Sequence, residues 1–120
     1  MTAPPLPRWL TVSADPAPAV LDGRLCRTRA TFFTEVARVL RFPDYFGHNW
    51  DALSDSLRDA GPVALIVENA EDLLSAEAPG QFATLLAVFS DAAESGLTVT
   101  LRTDQDQEPA LRQRVTAALS

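Results

Sequence analysis

One cysteine and one histidine are all that this 120-residue sequence offers to a disulfide or a transition metal. Cys26 cannot pair within the chain, which fits a reducing compartment. Cys26 and His48 together fall short of a His/Cys zinc site. Long apolar runs are also missing, and nothing approaches the ~20 residues that a membrane-spanning helix needs. The opening MTAPPLPRWL lacks the extended apolar stretch of a secretory signal. These absences predict a cytoplasmic protein with no membrane attachment, no metal and no cofactor. Positive charge is scarce as well: ten Lys and Arg face sixteen Asp and Glu, for a net charge of −6 and a pI near 4.6. A nucleic-acid binder needs a positive surface to displace counterions, so binding to DNA or RNA is not expected. An acidic surface draws basic partners, although mild acidity also serves solubility alone.

What the chain does have is apolar bulk. Hydrophobic residues make up 47% of it, with six Phe and two Trp. That is enough for one domain with a single core and no covalent staples.

Five of the nine prolines fall in the first 19 residues, which are therefore not expected to be helical. Trp9, Leu10, Thr11 and Val12 could add a short strand. Further on, Asp22-Gly23 between short apolar runs signals a hairpin or tight turn. Phe32, Phe33, Val36, Val39 and Leu40 recur at helical spacing, which predicts a helix over 31–40 with Thr28 or Thr31 as its cap. Pro43 stops it. A loop over 43–49 then leads into a second helix over 50–58, with Asn49 as N-cap and Trp50, Leu53 and Leu57 on its apolar face. Gly61-Pro62 breaks that helix.

Val63–Val67 reads as a buried strand and Glu71–Ser75 as a short helix, with Pro79-Gly80 as punctuation. Phe82, Leu85, Leu86, Val88 and Phe89 mark a long helix ending near Gly96. Leu97–Leu101 alternates as a half-exposed strand does. Pro109 suits the first turn of a closing helix that carries Leu111, Val115 and Leu119. Strands separated by helices predict an α/β fold: a small three-stranded parallel sheet with helices packed on it, joined by right-handed crossovers.

The segment 42–58, FPDYFGHNWDALSDSLR, carries the chemistry. Asp51, Asp55 and Asp59 sit four residues apart and share one helical face. Like charges at that spacing cost about 0.2–0.5 kcal/mol per pair. Asp51 gains from the positive helix N-terminus, whereas Asp59 lies near the negative end. Folding alone explains this placement poorly; a partner that supplies cations explains it well. Residues 42–77 hold eight acids (Asp44, Asp51, Asp55, Asp59, Glu68, Glu71, Asp72, Glu77) and one base, Arg58. The rest of the chain is near neutral.

Pro43, Asp44, Tyr45, Phe46, Gly47, Asn49, Asp51, Ala52, Leu53, Asp55 and Leu57 together resemble the loop and second helix of the barstar family of ribonuclease inhibitors. The likeness runs from Val20 through Leu65-Ile66-Val67-Glu68, resumes at Leu86-Ala87-Val88-Phe89 and ends near Leu101. It implies a barstar-like domain over 19–102, with a Pro-rich N-terminal extension over 1–18. A C-terminal extension over 103–120 is expected to be helical and to pack on the domain.

The resemblance also implies a function. The chain would be an intracellular, non-enzymatic inhibitor that blocks the active site of a basic, guanyl-specific, extracellular-type ribonuclease in a 1:1 complex, and it would be monomeric when free. Tyr45, Phe46, Gly47, Asn49, Asp51, Ser54, Asp55 and Asp59 would form the partner-binding surface. Asp55 would take the phosphate pocket, Asp51 the basic groups at its mouth, and Tyr45 the catalytic His. Gly47 would let the backbone come close.

Departures from the family pattern fall at the rim. Phe46 replaces a second Tyr, Ser54 replaces a Trp, Trp50 replaces a Leu, Ala83 replaces an acidic contact residue and Ala64 replaces a cis-proline. They leave room for another reading, an immunity or regulatory module for a different basic toxin or nuclease. His48, exposed or in contact with the partner, could pair with Asp44 or Asp51 in an enzyme, but no nucleophile accompanies it. Cys26 reads as a core residue, and Trp50 as core or interface anchor.

Overall fold

The computed structural model describes residues 5–10 and 17–120. The elements run β1 (Ala19–Asp22), α1 (Arg29–Leu40), α2 (Trp50–Ala60), β2 (Ala64–Glu68), α3 (Pro79–Ala93), β3 (Thr98–Leu101) and α4 (Glu108–Leu119), with short 3-10 turns at Gly23–Leu25 and Ala70–Asp72. The strands form one parallel sheet in the order β1-β2-β3. Leu21 pairs with Val67, and Leu65 with Val99. Parallel neighbours need a long crossover, and the intervening helices supply it.

The sheet turns Leu21, Leu65 and Val67 into the core, where they meet Phe32, Phe33 and Val36 of α1, Leu53 and Leu57 of α2, and Phe82, Leu85 and Phe89 of α3. α4 adds Leu111 to the core. Its Val115 is half-buried, but Leu119 is exposed and does not share the apolar face expected of it. Thr28 caps α1, with reciprocal bonds between Thr28 and Thr31. The core is thus built largely from the apolar positions that helical and strand periodicity pick out.

One local expectation is decided and two change. Of the hairpin and the tight turn that Asp22-Gly23 signals, the tight turn forms, because β1 pairs in parallel with β2 and the chain leaves β1 through a 3-10 turn. Gly23 is required there by space rather than by a positive φ: a Cβ would press into the carbonyl of Asn69. Residues 71–75 do not make a helix beyond the Ala70–Asp72 turn. Leu74 takes a left-handed φ of 54°, and its N–H donates to the Cys26 carbonyl at 2.8 Å. Ala76 N–H donates to the Arg27 carbonyl at 3.0 Å, while Leu73 and Ser75 N–H close tight turns on Ala70 and Asp72. The chain thus alternates between local turns and bonds across the fold instead of running up a helix. Pro79-Gly80 is the first turn of α3 rather than a break before it, which suits a proline that has no N–H to offer.

The strand expected at residues 9–12 lies partly outside the described residues. Within them, Leu10 N–H closes a turn on the Pro7 carbonyl at 3.0 Å, and Trp9 is exposed. No helix among the described residues is long and apolar enough to cross a membrane.

Candidate partner-binding face

The loop between α1 and α2 starts where Arg41 turns left-handed (φ 57°) and Phe42 N–H closes on the Ala37 carbonyl at 2.9 Å. Phe46 N–H then donates to the Pro43 carbonyl at 2.9 Å, making a turn with Asp44 and Tyr45 at its tip. Tyr45 is 88% exposed, which is unusual for so large a ring and leaves nearly all of it available for contact. Phe46 goes the other way. It is buried against Phe42 (ring centroids 5.0 Å apart), His48 (5.1 Å) and Phe33 (6.3 Å). Its side chain is thus a core anchor that holds the loop down, and Phe46 still lines the groove beside Tyr45 and Gly47. The hydroxyl-free ring suits this apolar site, where a phenol would need a hydrogen-bond partner.

His48 (φ 50°) shares a hydrogen bond between Nδ1 and the Phe46 carbonyl at 2.8 Å. It has no hydrogen bond to a carboxylate among the described residues, so no His–Asp pair forms here. Asn49 caps α2 by accepting from Ala52 N–H at 2.7 Å, and its amide donates to the Gly47 carbonyl at 3.0 Å. Its side-chain bonds stay within the loop and the helix start. A Cβ on Gly47 would lie 3.1 Å from Asn49 Nδ2 and 3.3 Å from Ala52 Cβ, so the loop packs closely on the first turn of α2. Trp50 lies half-buried with its indole 4.9 Å from the Phe33 ring, and Nε1–H donates to Gln81 of α3 at 3.2 Å. Of its two readings, the structure supports core.

With Leu53 and Leu57 buried, the opposite side of α2 carries Asp51, Asp55 and Asp59, all exposed. Ser54 is half-buried beside this ridge. A groove of about 550 Å³ runs between the loop and the helix, with Tyr45, Phe46 and Gly47 on one side and Asp55 and Asp59 on the other. Tyr45, Gly47, Asp55 and Asp59 thus come together around one concavity. Asp51 stands at the N-terminal end of the same ridge, where its charge meets the positive end of the helix.

The acids of 42–77 divide in two. Glu68 pairs with Arg102 at 3.4 Å and Asp72 with Arg27 at 3.6 Å. Glu71 accepts from the Thr103 hydroxyl at 2.6 Å, and Glu77 from the Arg29 backbone N–H at 2.8 Å. All four carboxylates beyond α2 are therefore engaged by the fold. Among the described residues, Asp44, Asp51 and Asp59 have no salt bridge or side-chain hydrogen bond, and Asp55 has only Arg58, at 2.7 Å. Sequence reasoning did not separate these two groups, because the partners of the second lie far away along the chain. The Asp55–Arg58 contact was within reach of sequence reasoning, since the two stand three residues apart on a helix.

A row of carboxylates, an exposed phenol and a groove thus share one loop-and-helix unit. Among comparisons with known proteins, a family model described as Barstar (barnase inhibitor) matches residues 17–113. The match includes the first half of α4, past the Leu101 at which the resemblance in sequence ends. No curated protein matches the chain. With the match spanning most of its length, including the whole sheet and the loop-and-helix unit, the chain belongs to the barstar family.

Proposed function

We propose that this protein inhibits a basic, guanyl-specific ribonuclease inside the producing cell by inserting the α2 ridge and the Tyr45 loop into the enzyme's active site in a 1:1 complex. One observation carries this reading: the fold engages the acids of 68–77 and leaves those of the loop and α2 facing solvent. Three like charges on one face, with Arg58 as their one counter-ion, are unfavourable for the free protein and favourable once further cations arrive. A carboxylate accepts the same charge-assisted, bidentate bonds from Arg that a substrate phosphate accepts. Asp55, at the centre of the ridge and on the groove, is the phosphate mimic. Asp51 and Asp59 steer and flank it, and Tyr45 packs against the enzyme's catalytic His.

The test is inhibition of RNA cleavage by a small guanyl-specific ribonuclease. Asp55→Ala should weaken the complex by about 2–5 kcal/mol, the range for truncating one member of a buried charge pair. Asp51→Ala and Tyr45→Ala should cost less. Raising salt should slow association of the wild-type protein far more than it speeds dissociation. An Asp55→Ala protein that inhibits like wild type would rule out the phosphate mimicry.

A second reading, an immunity module for another basic toxin or nuclease, draws support from the rim. Phe46 is buried, while Ser54 and Ala83 are small and half-buried. The aromatic and acidic rim contacts of the family pattern are thus missing, so a cognate partner of different shape fits this surface. Inhibition of a different basic nuclease, with none of guanyl-specific ribonucleases, would favour it.

A further inference from the structure

The only base within residues 42–77 is attached to the central acid of the ridge. Arg58 Nη2 donates to Asp55 Oδ1 at 2.7 Å, one turn along α2. Asp51 and Asp59, on either side, have no ion pair among the described residues. The ridge therefore carries an internal counter-ion at its centre and none at its flanks. Both members of the pair are well exposed, at 57% and 72% of their side-chain surface, so the contact is weak and readily broken.

We propose that Arg58 is a specificity-determining residue: an internal cation that competes with a partner for the Asp55 carboxylate. The proposal rests on the ridge being the partner-binding face. A partner guanidinium can replace Arg58 on equal terms, because its planar fork bonds a carboxylate through two parallel N–H groups. Any cation approaches Asp55 past the like charge of Arg58, but a guanidinium regains two parallel bonds to the carboxylate whereas a lone ammonium, a point charge, regains no matching fork. Arg58 thus favours arginine-rich catalytic centres over surfaces that bring isolated lysines. Once released, Arg58 is not stranded. It lies in the last turn of α2, where the negative end of the helix favours a cation.

The experiment titrates the full chain with hexaarginine and hexalysine peptides at low salt. Wild type should bind hexaarginine more tightly. Arg58→Ala should raise affinity for hexalysine about two- to fivefold, the range for a surface ion pair, and narrow the gap between the peptides. Arg112→Ala is the control for net charge: it removes another helical arginine, one paired with Glu108 on α4, and should leave the gap unchanged. In an Asp55→Asn background the gain from Arg58→Ala should vanish. No gain from Arg58→Ala, an equal gain from Arg112→Ala, or a gain that survives Asp55→Asn would each overturn the proposal. The titrations use no ribonuclease, so they decide the role of Arg58 even where the inhibition assay fails.

Discussion

Asp22 does structural work at the C-terminal end of β1. It accepts from the Arg24 side chain at 2.9 Å and 3.2 Å, from the Arg24 backbone N–H at 3.0 Å and from Asn69 at 3.1 Å. The Arg24 guanidinium, followed by the Arg24 N–H and Asn69, holds its carboxyl at about 2, against an ordinary 3.8 and against the opposing effect of burial. A carboxyl depressed in the folded state stabilises the fold while it is ionised. Its contribution is therefore complete above about pH 4 and is lost as pH falls from there through about 2. Denaturation across that window should show the loss, and Asp22→Asn should flatten that part of the profile.

Next to it, Gly23 meets the Asn69 carbonyl, a backbone atom that cannot swing aside. Gly23→Ala should cost at least about 1–3 kcal/mol by overpacking, read as a lower urea midpoint. Asp22-Gly23 was legible as a turn, but Asn69 stands 46 residues further along the chain. The reason for the glycine is thus a tertiary contact that no local pattern encodes.

Among the elements, α2 was the most readable, because its cap, apolar stripe and acidic stripe all follow from one period. Asn49→Ala should cost about 0.5–2 kcal/mol through loss of the N-cap. The same side chain ties down the Gly47 carbonyl, so the substitution should also weaken partner binding by loosening the Tyr45 loop. Urea denaturation and the inhibition assay measure the two effects separately, and a full loss of stability with unchanged inhibition would dissociate the cap from the loop. α4 was less readable. Its Leu119 continues the spacing of Leu111 and Val115 but is exposed, while Ala118, seven positions after Leu111, packs against the core in its place. The segment 71–75 looked helical because Glu, Asp, Leu and Leu are tolerated there, yet the Leu74 amide is taken by the distant Cys26 carbonyl, which breaks the local run of turns.

At the scale of the whole molecule, one packed core joins the sheet to its helices, and Cys26 lies within it, fully buried. Burial, before any effect of nearby charge, pushes its thiol up to about 12, so almost no thiolate exists at neutral pH. Alkylation of Cys26 should therefore be slow in the native protein and should rise with urea along the same curve as the loss of far-UV circular dichroism. Fast alkylation without denaturant would instead mark a local opening between β1 and α1.

The charge pattern also belongs to this scale. Arg27, Arg29, Arg102 and Thr103 reach in from other segments to engage the acids of 68–77. What remains uncovered is the face built by the Tyr45 loop and α2.

The residues alone settled whatever repeats within a few positions: the helical and strand periods, the Asn49 cap, the alignment of Asp51, Asp55 and Asp59, and through them the family. Those features depend on backbone geometry that neighbours impose on one another. Tertiary structure decided which carboxylates stay free, that Phe46 faces inward, and that Gly23 must lack a side chain. Each of these turns on a contact or a packing direction that arises only when distant segments meet, and one-dimensional spacing carries no record of such meetings.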